Sequence, residues 1–84
     1  MSLGRGTVLA LNRRRRTAVV EAEGGACSVL AWLRGTGPEF NDVLRGHLDR
    51  LGGQDLYNET RCEWFAADLR ACGCSFREAV HAVS

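Results

Sequence analysis

The sequence predicts an all-β fold, in which five or six strands form a small barrel and a short helix ends the chain. Residues 6–33 contain three short β-branched or apolar runs, separated by an arginine-rich turn and a glycine turn. Residues 75–83 begin with a helix-capping pattern and continue with apolar residues at helical spacing. Because 84 residues fit one domain, we expect residues 1–84 to form a single unit.

The first half of the chain has the pattern of a three-stranded meander. Residues 6–12 alternate as a half-buried strand does, and residues 17–22 and 27–33 form the next two runs. Arg13–Arg16, called the arginine turn below, cannot be buried together and are expected to be exposed. Gly24-Gly25 provides the second turn, since glycine adopts positive φ at little cost. The third run is apolar on both faces, which suits the middle of a closed barrel.

The second half is ambiguous at residues 40–51. Apolar residues recur there at helical spacing, but Gly46 would lie in the middle of the helix at a cost of about 1 kcal/mol relative to alanine. The alternative is a fourth strand over residues 42–48. Beyond it we expect a short strand at residues 55–57 and a longer strand at residues 62–71.

The C-terminal helix has the clearest local signal. Ser75 and Glu78 have the spacing of a capping box, in which each side chain pairs with the backbone amide of the other residue. The apolar residues that follow at helical spacing are Phe76, Ala79, Val80 and Val83. Two helical turns are unstable in isolation, so we expect the helix to dock on the barrel by its apolar face.

Residues 6–32 resemble the cold-shock domains, which are OB-fold barrels that bind single-stranded nucleic acid. Gly6 to Val8, Asn12 and Glu21 to Gly25 fall where that family has Gly-x-Val, Asn and Glu-x-Glu-Gly. The resemblance covers about a third of the chain and implies an OB-like, cold-shock-like barrel. The whole chain is similar to a set of small uncharacterised bacterial proteins in which the segment at Asp42 is a strand. This similarity favours the strand over the helix there.

The binding face implied by the resemblance is altered in this chain. Cold-shock domains stack bases on aromatic side chains of the first three strands, and each stacked base contributes ~1–3 kcal/mol. Only Trp32 is aromatic here. The other positions carry Ala10, Thr17, Val19, Val29 and Ala31. The chain thus keeps the residues of the frame and lacks most of the stacking residues.

Charge is distributed unevenly along the chain. The net charge is +1, but residues 1–20 contain five arginines and no acid, whereas residues 21–84 contain six arginines and ten acids. The expected function is therefore a non-catalytic binding module that binds single-stranded DNA or RNA weakly. The residues expected to contact it are Arg13, Arg14, Arg15, Arg16 and Trp32. The alternative is a protein-interaction or self-assembly module, including a homodimer, that uses the altered apolar face.

Catalytic and cofactor motifs are missing from the sequence. There is no glycine-rich phosphate loop and no Gly-x-Ser-x-Gly, and nothing links His47 or His81 to a cysteine, so we expect neither an enzyme nor a cofactor. A zinc site formed by Cys62, Cys72, Cys74 and His81 would lack the usual Cys-x₂-Cys spacing. Reduced thiols that are buried as small apolar side chains are the alternative, and no metal ligand is assigned.

The sequence shows no targeting signal, so we expect a cytoplasmic protein. No apolar run approaches the ~18 residues that a membrane span requires. Residues 1–6 lack the apolar stretch of a signal peptide. We therefore expect no membrane partner.

Overall fold

A computed structural model describes residues 4–83 and confirms the all-β barrel with a short C-terminal helix. Six strands and one helix follow in order along the chain: β1 (Gly4–Asn12), β2 (Thr17–Ala22), β3 (Cys27–Trp32), β4 (Val43–Gly46), β5 (Gly52–Asn58), β6 (Glu63–Cys74) and α1 (Phe76–Val83). The three-stranded meander expected in the first half is present as β1, β2 and β3.

The sheet closes on itself in the order β1-β2-β3-β6-β5-β4, and every strand pair is antiparallel. Two meanders, β1–β3 and β4–β6, are joined where β3 pairs with β6 and where β1 pairs with β4. The arrangement is compatible with an OB-like barrel, whose usual form has five strands. The pairing of β4 with both β1 and β5 closes the barrel.

The ambiguous segment contains a strand. β4 pairs with β1 on one side and with β5 on the other, and it is shorter than the expected strand over residues 42–48. Gly46 has a physical reason to be glycine, because a Cβ atom there would lie 2.2 Å from Cδ2 of Leu56. The residue that argued against a helix is therefore favoured as glycine by close packing inside the barrel.

β5 and β6 are longer than predicted. β5 begins at Gly52 rather than at residue 55, because Gly52 and Gly53 continue the backbone ladder opposite Leu69 and Asp68. β6 continues to Cys74, which pairs with Cys27 of β3. These extensions add main-chain hydrogen bonds that the side-chain pattern does not reveal.

The barrel interior is filled by apolar side chains from all six strands and the loop after β4. These residues are Val8, Ala18, Val20, Leu30, Trp32, Leu44, Leu48, Leu56, Ala67 and Leu69. Burying a side chain of the size of leucine contributes about 1.5–3 kcal/mol. The interior cluster is therefore the main stabilising element of the fold.

A second apolar cluster lies on the outside of the barrel, beneath α1. Ala79 and Val83 of the helix pack with Val19, Cys27 and Val29 of β2 and β3. The prediction that the helix docks by an apolar face is confirmed by this contact.

The predicted capping box at the start of α1 is also confirmed. The Glu78 amide donates to Oγ of Ser75 at 3.1 Å, and the Ser75 amide donates to Oε1 of Glu78 at 2.9 Å. Phe76, which we expected on the docked face, is instead 48% exposed. Among residues 4–83, no helix is long and apolar enough to cross a membrane.

Candidate nucleic-acid interface

The arginine turn connects β1 to β2 and is exposed at all four positions. The Arg16 amide donates to the Arg13 carbonyl at 3.3 Å, and Arg16 has a φ of 55° that completes the reversal. The Arg15 amide donates to Oδ1 of Asn12 at 3.2 Å. The turn is therefore a defined structure that presents four guanidinium groups to solvent.

Two further hydrogen bonds fix the turn to the rest of the molecule. The Trp32 amide donates to the Arg16 carbonyl at 3.0 Å, which attaches the turn to β3. Nδ2 of Asn12 donates to the Val83 carbonyl at 2.6 Å, which attaches it to the last turn of α1. The position of the arginine turn thus depends on both the barrel and the helix.

Acidic groups offset part of the charge at this end of the barrel. Arg13 forms an ion pair with Glu39, and Glu39 also lies 3.8 Å from a guanidinium nitrogen of Arg61. Arg61, in the turn between β5 and β6, pairs in addition with Glu63 at 3.5 Å. Exposed pairs of this kind contribute little stability. The strand order places the β5–β6 turn and the arginine turn at one end of the barrel, where Glu39 contacts both.

Trp32 does not lie on the same surface as the arginines. Its side chain points into the barrel, where it is 3% exposed and belongs to the interior cluster. Gly37 packs against the indole from the loop after β3. The expected stacking role of Trp32 is thereby corrected, because no base can reach a ring enclosed on both sides.

The altered apolar face is also not available to a partner. Val19 is fully buried, and Val29 and Ala31 are each 4% exposed. Ala79 and Val83 of α1 cover the first two, and Ala10 packs against the same outer cluster. The self-assembly alternative loses the surface on which it depended, because the chain's own helix occupies it.

The four candidate zinc ligands are not brought together. Cys62 lies just before β6, whereas Cys74 ends this strand of 12 residues. Among residues 4–83, no group of three or more His, Cys, Asp or Glu side chains has an arrangement that could hold a metal ion. Burial raises the pKa of the Cys27 and Cys72 thiols, as expected for partly or fully enclosed cysteines.

A row of polar and aromatic side chains crosses the wall of the barrel that lies opposite α1. Arg5 of β1 is the register partner of Arg45 of β4, Arg45 is the partner of Tyr57 of β5, and Tyr57 is the partner of Trp64 of β6. We call these four residues the cross-strand row. Arg5, Arg45 and Trp64 are exposed, and Tyr57 is half-buried.

Two local contacts organise the cross-strand row. The Tyr57 and Trp64 ring centroids are 5.1 Å apart and the ring planes are tilted by 56°, a favourable geometry for aromatic pairs. Nε of Arg5 donates to Oε2 of Glu59 at 3.1 Å, and Nε of Arg45 forms an ion pair with the same oxygen at 2.8 Å. A hydrogen bond with Cys62 raises the pKa of the Tyr57 phenol above its ordinary value.

Sequence reasoning did not identify Arg5, Arg45 or Tyr57 as site residues. The available signal was alternation. Leu44 and Leu56 point inward, so Arg45 and Tyr57, one residue further along each strand, must point outward. Alternation alone could not show that these side chains are neighbours, because that depends on strand order and register.

Comparisons of the chain with protein-family models, with curated proteins and with solved structures give no significant match.

Proposed function

We propose that this chain is a non-catalytic binding module that binds single-stranded nucleic acid weakly, chiefly through the arginine turn. The observation that carries the proposal is the presentation of four exposed arginines on one tethered turn at the end of a small barrel. In OB-fold barrels the loop between the first two strands and the loop between the last two take part in binding oligonucleotides. Here those loops are the arginine turn and the β5–β6 turn that contains Arg61.

The binding mode we propose is electrostatic rather than cold-shock-like. Stacking of bases on the outer face of β1–β3 would require that face to be open, and α1 covers Val19 and Val29 there. Arginines contact phosphates through several N–H donors each and retain their charge at any physiological pH. Affinity should therefore depend strongly on ionic strength and little on base identity.

The test is a salt titration with a fluorescently labelled deoxythymidine oligonucleotide, followed by anisotropy. Four phosphate contacts on a single strand give a slope of log K against log salt of about −2.8. Replacing all four residues of the arginine turn by serine should abolish binding at low salt. Absence of binding by the unmodified chain at low salt would refute the proposal.

Net charge needs its own control. The double variant Arg14→Ser/Arg15→Ser removes two charges from the arginine turn. Arg50→Ser/Arg77→Ser removes two exposed arginines elsewhere, one in the loop after β4 and one on α1. We expect the first variant to reduce the salt slope by about 1.4 and the second to leave it nearly unchanged. Equal effects of the two variants would contradict a site at the arginine turn.

A further inference from the structure

The cross-strand row combines aromatic rings and positively charged guanidinium groups on neighbouring strands. Adjacent strands lie roughly 4.8 Å apart, so the row places an exposed indole, a phenol and two guanidinium groups in sequence across the barrel wall. Its two arginines share one carboxylate, that of Glu59, which leaves this part of the row with a surplus of positive charge.

Trp64 is the most exposed large hydrophobic side chain in the described part of the chain, at 67%. Tyr57 contacts it from β5 and restrains the indole, while the rest of the ring surface faces solvent. A restrained, exposed aromatic ring on a β-sheet is the element on which single-stranded nucleic-acid binders stack bases, because every base has a π-face. The indole therefore has the form of a stacking platform.

The charges beside the aromatic pair favour a polyanion. The Nε atoms of Arg5 and Arg45 are directed to Glu59, and a guanidinium has five N–H donors, so the terminal nitrogens remain for phosphate oxygens. The acids Asp55 and Asp68 also face outward, but they lie further along β5 and β6, away from the β5–β6 turn. A strand that follows the row avoids them and meets the basic groups.

We propose that the cross-strand row is a second nucleic-acid contact, in which Trp64 stacks a base and Arg5 and Arg45 contact the neighbouring phosphates. The proposal rests on the proposed function and adds a stacking surface on the wall opposite α1. In this proposal, bases stack on aromatic side chains of β5 and β6 rather than of β1–β3. The ligand is single-stranded DNA or RNA.

The first test uses intrinsic fluorescence. The chain has two tryptophans, and Trp32 is enclosed in the barrel, so a base that quenches emission must approach Trp64. An unlabelled deoxythymidine oligonucleotide should quench part of the emission. The variant Trp64→Phe, which lacks the reporting indole but keeps an aromatic ring, should show no quenching and bind within a few-fold of the unmodified chain.

The second test uses affinity. Trp64→Ser should weaken oligonucleotide binding roughly 5- to 150-fold, the equivalent of one stacked base. Phe76→Ser removes another exposed aromatic, at the start of α1, and should have little effect. Arg45→Ser should lower the salt slope by about 0.7.

The outcomes separate this inference from the proposed function. If the arginine-turn variants abolish binding while Trp64→Ser leaves the affinity unchanged and the oligonucleotide does not quench the unmodified chain, the cross-strand row is not a contact and the proposed function stands. If the unmodified chain binds no oligonucleotide, both fail. If sedimentation shows self-association that Trp64→Ser removes, the face belongs to a second copy of the chain, and the inference is overturned.

Discussion

Gly37 lies against the face of the Trp32 indole so closely that a Cβ atom at Gly37 would be 2.3 Å from Cε2 of the ring. Gly37 also has a φ of 72°, a left-handed conformation that residues with side chains adopt at a cost. The loop after β3 therefore encloses Trp32 through a residue at which both the close approach to the ring and the backbone conformation favour glycine.

Replacing Gly37 by alanine should destabilise the barrel strongly. The left-handed conformation should cost about 1–2 kcal/mol, and displacement of the indole a further 1–3 kcal/mol. Gly35→Ala is the matched control, because Gly35 has a φ of 74° and open space where its Cβ would lie. Urea unfolding should show the larger loss for Gly37→Ala, together with a red shift of tryptophan emission. Equal losses in the two variants would contradict the packing of Gly37 on Trp32.

Replacing Thr17 by valine should stabilise the folded barrel. Its Oγ1 atom is buried and has no hydrogen-bond partner among residues 4–83, and such an atom costs about 1–3 kcal/mol. Thr17→Val keeps a β-branched side chain in β2 and should raise the free energy of unfolding by about 1 kcal/mol.

Thr60→Val is the control of opposite sign for Thr17→Val. The Thr60 hydroxyl accepts a hydrogen bond from the Val43 amide at 2.9 Å, so its removal should lower stability by about 0.5–1.5 kcal/mol. Chemical denaturation of both variants measures the contrast. A loss of stability in Thr17→Val would mean that this hydroxyl has a partner in solution.

The capping box should make the stability of the chain depend on pH through Glu78. Hydrogen bonding to the Ser75 amide, and secondarily to the Ser75 side chain, lowers the pKa of Glu78 in the folded state. The folded state therefore favours the carboxylate, and this stabilisation is present above the unfolded-state pKa and lost as pH falls through the folded-state pKa.

The variant Glu78→Gln isolates this effect. Its stability should be lower than that of the unmodified chain at neutral pH, and the difference should shrink in acid, where other carboxylates titrate in both proteins and cancel. Urea unfolding at several pH values gives the difference. A difference that is constant with pH would show that Glu78 does not act through its charge.

Asn12 should couple the arginine turn to the end of α1. It accepts from the Arg15 amide and donates to the Val83 carbonyl, so Asn12→Ala loses both bonds, at about 0.5–1.5 kcal/mol each. Asn12→Asp keeps the acceptor and loses only the donor. Hydrogen exchange should therefore show faster exchange at Arg15 in the alanine variant alone, and faster exchange in the last turn of α1 in both. Unchanged helix protection in both variants would contradict the coupling.

The strands and turns could be predicted because their signals are local. The Ser75–Glu78 spacing and the Gly24-Gly25 turn act within a few residues and needed no knowledge of the rest of the fold. The strand at Val43–Gly46 was ambiguous because its requirement for glycine comes from Leu56, in the next strand. The contact between Gly46 and Leu56 is a tertiary contact, and it cannot be predicted from the periodicity of one sequence.

The candidate site was less predictable for the same reason. β3 is apolar on both faces, so alternation could not determine that Trp32 points inward and Val29 outward. The cross-strand row depends on a closed strand order that pairs Arg5 with Arg45, 40 positions later in the sequence. Which residues become neighbours across strands depends on the order and register of all six strands, so it could not be predicted from local sequence.

The covering of β2 and β3 by α1 also has a consequence for the synthesis of the protein. β3 ends at Trp32 and α1 begins at Phe76, 44 positions later, so at ordinary translation rates the helix follows after roughly 2–9 s. During that interval the outer apolar side chains of the first meander lack their cover. β1 and β3 also lack the partners that close the barrel, because these are β4 and β6. Until β4, β6 and α1 have been synthesised, the nascent chain therefore exposes apolar surface and unpaired strands, and in this period it is most liable to aggregate.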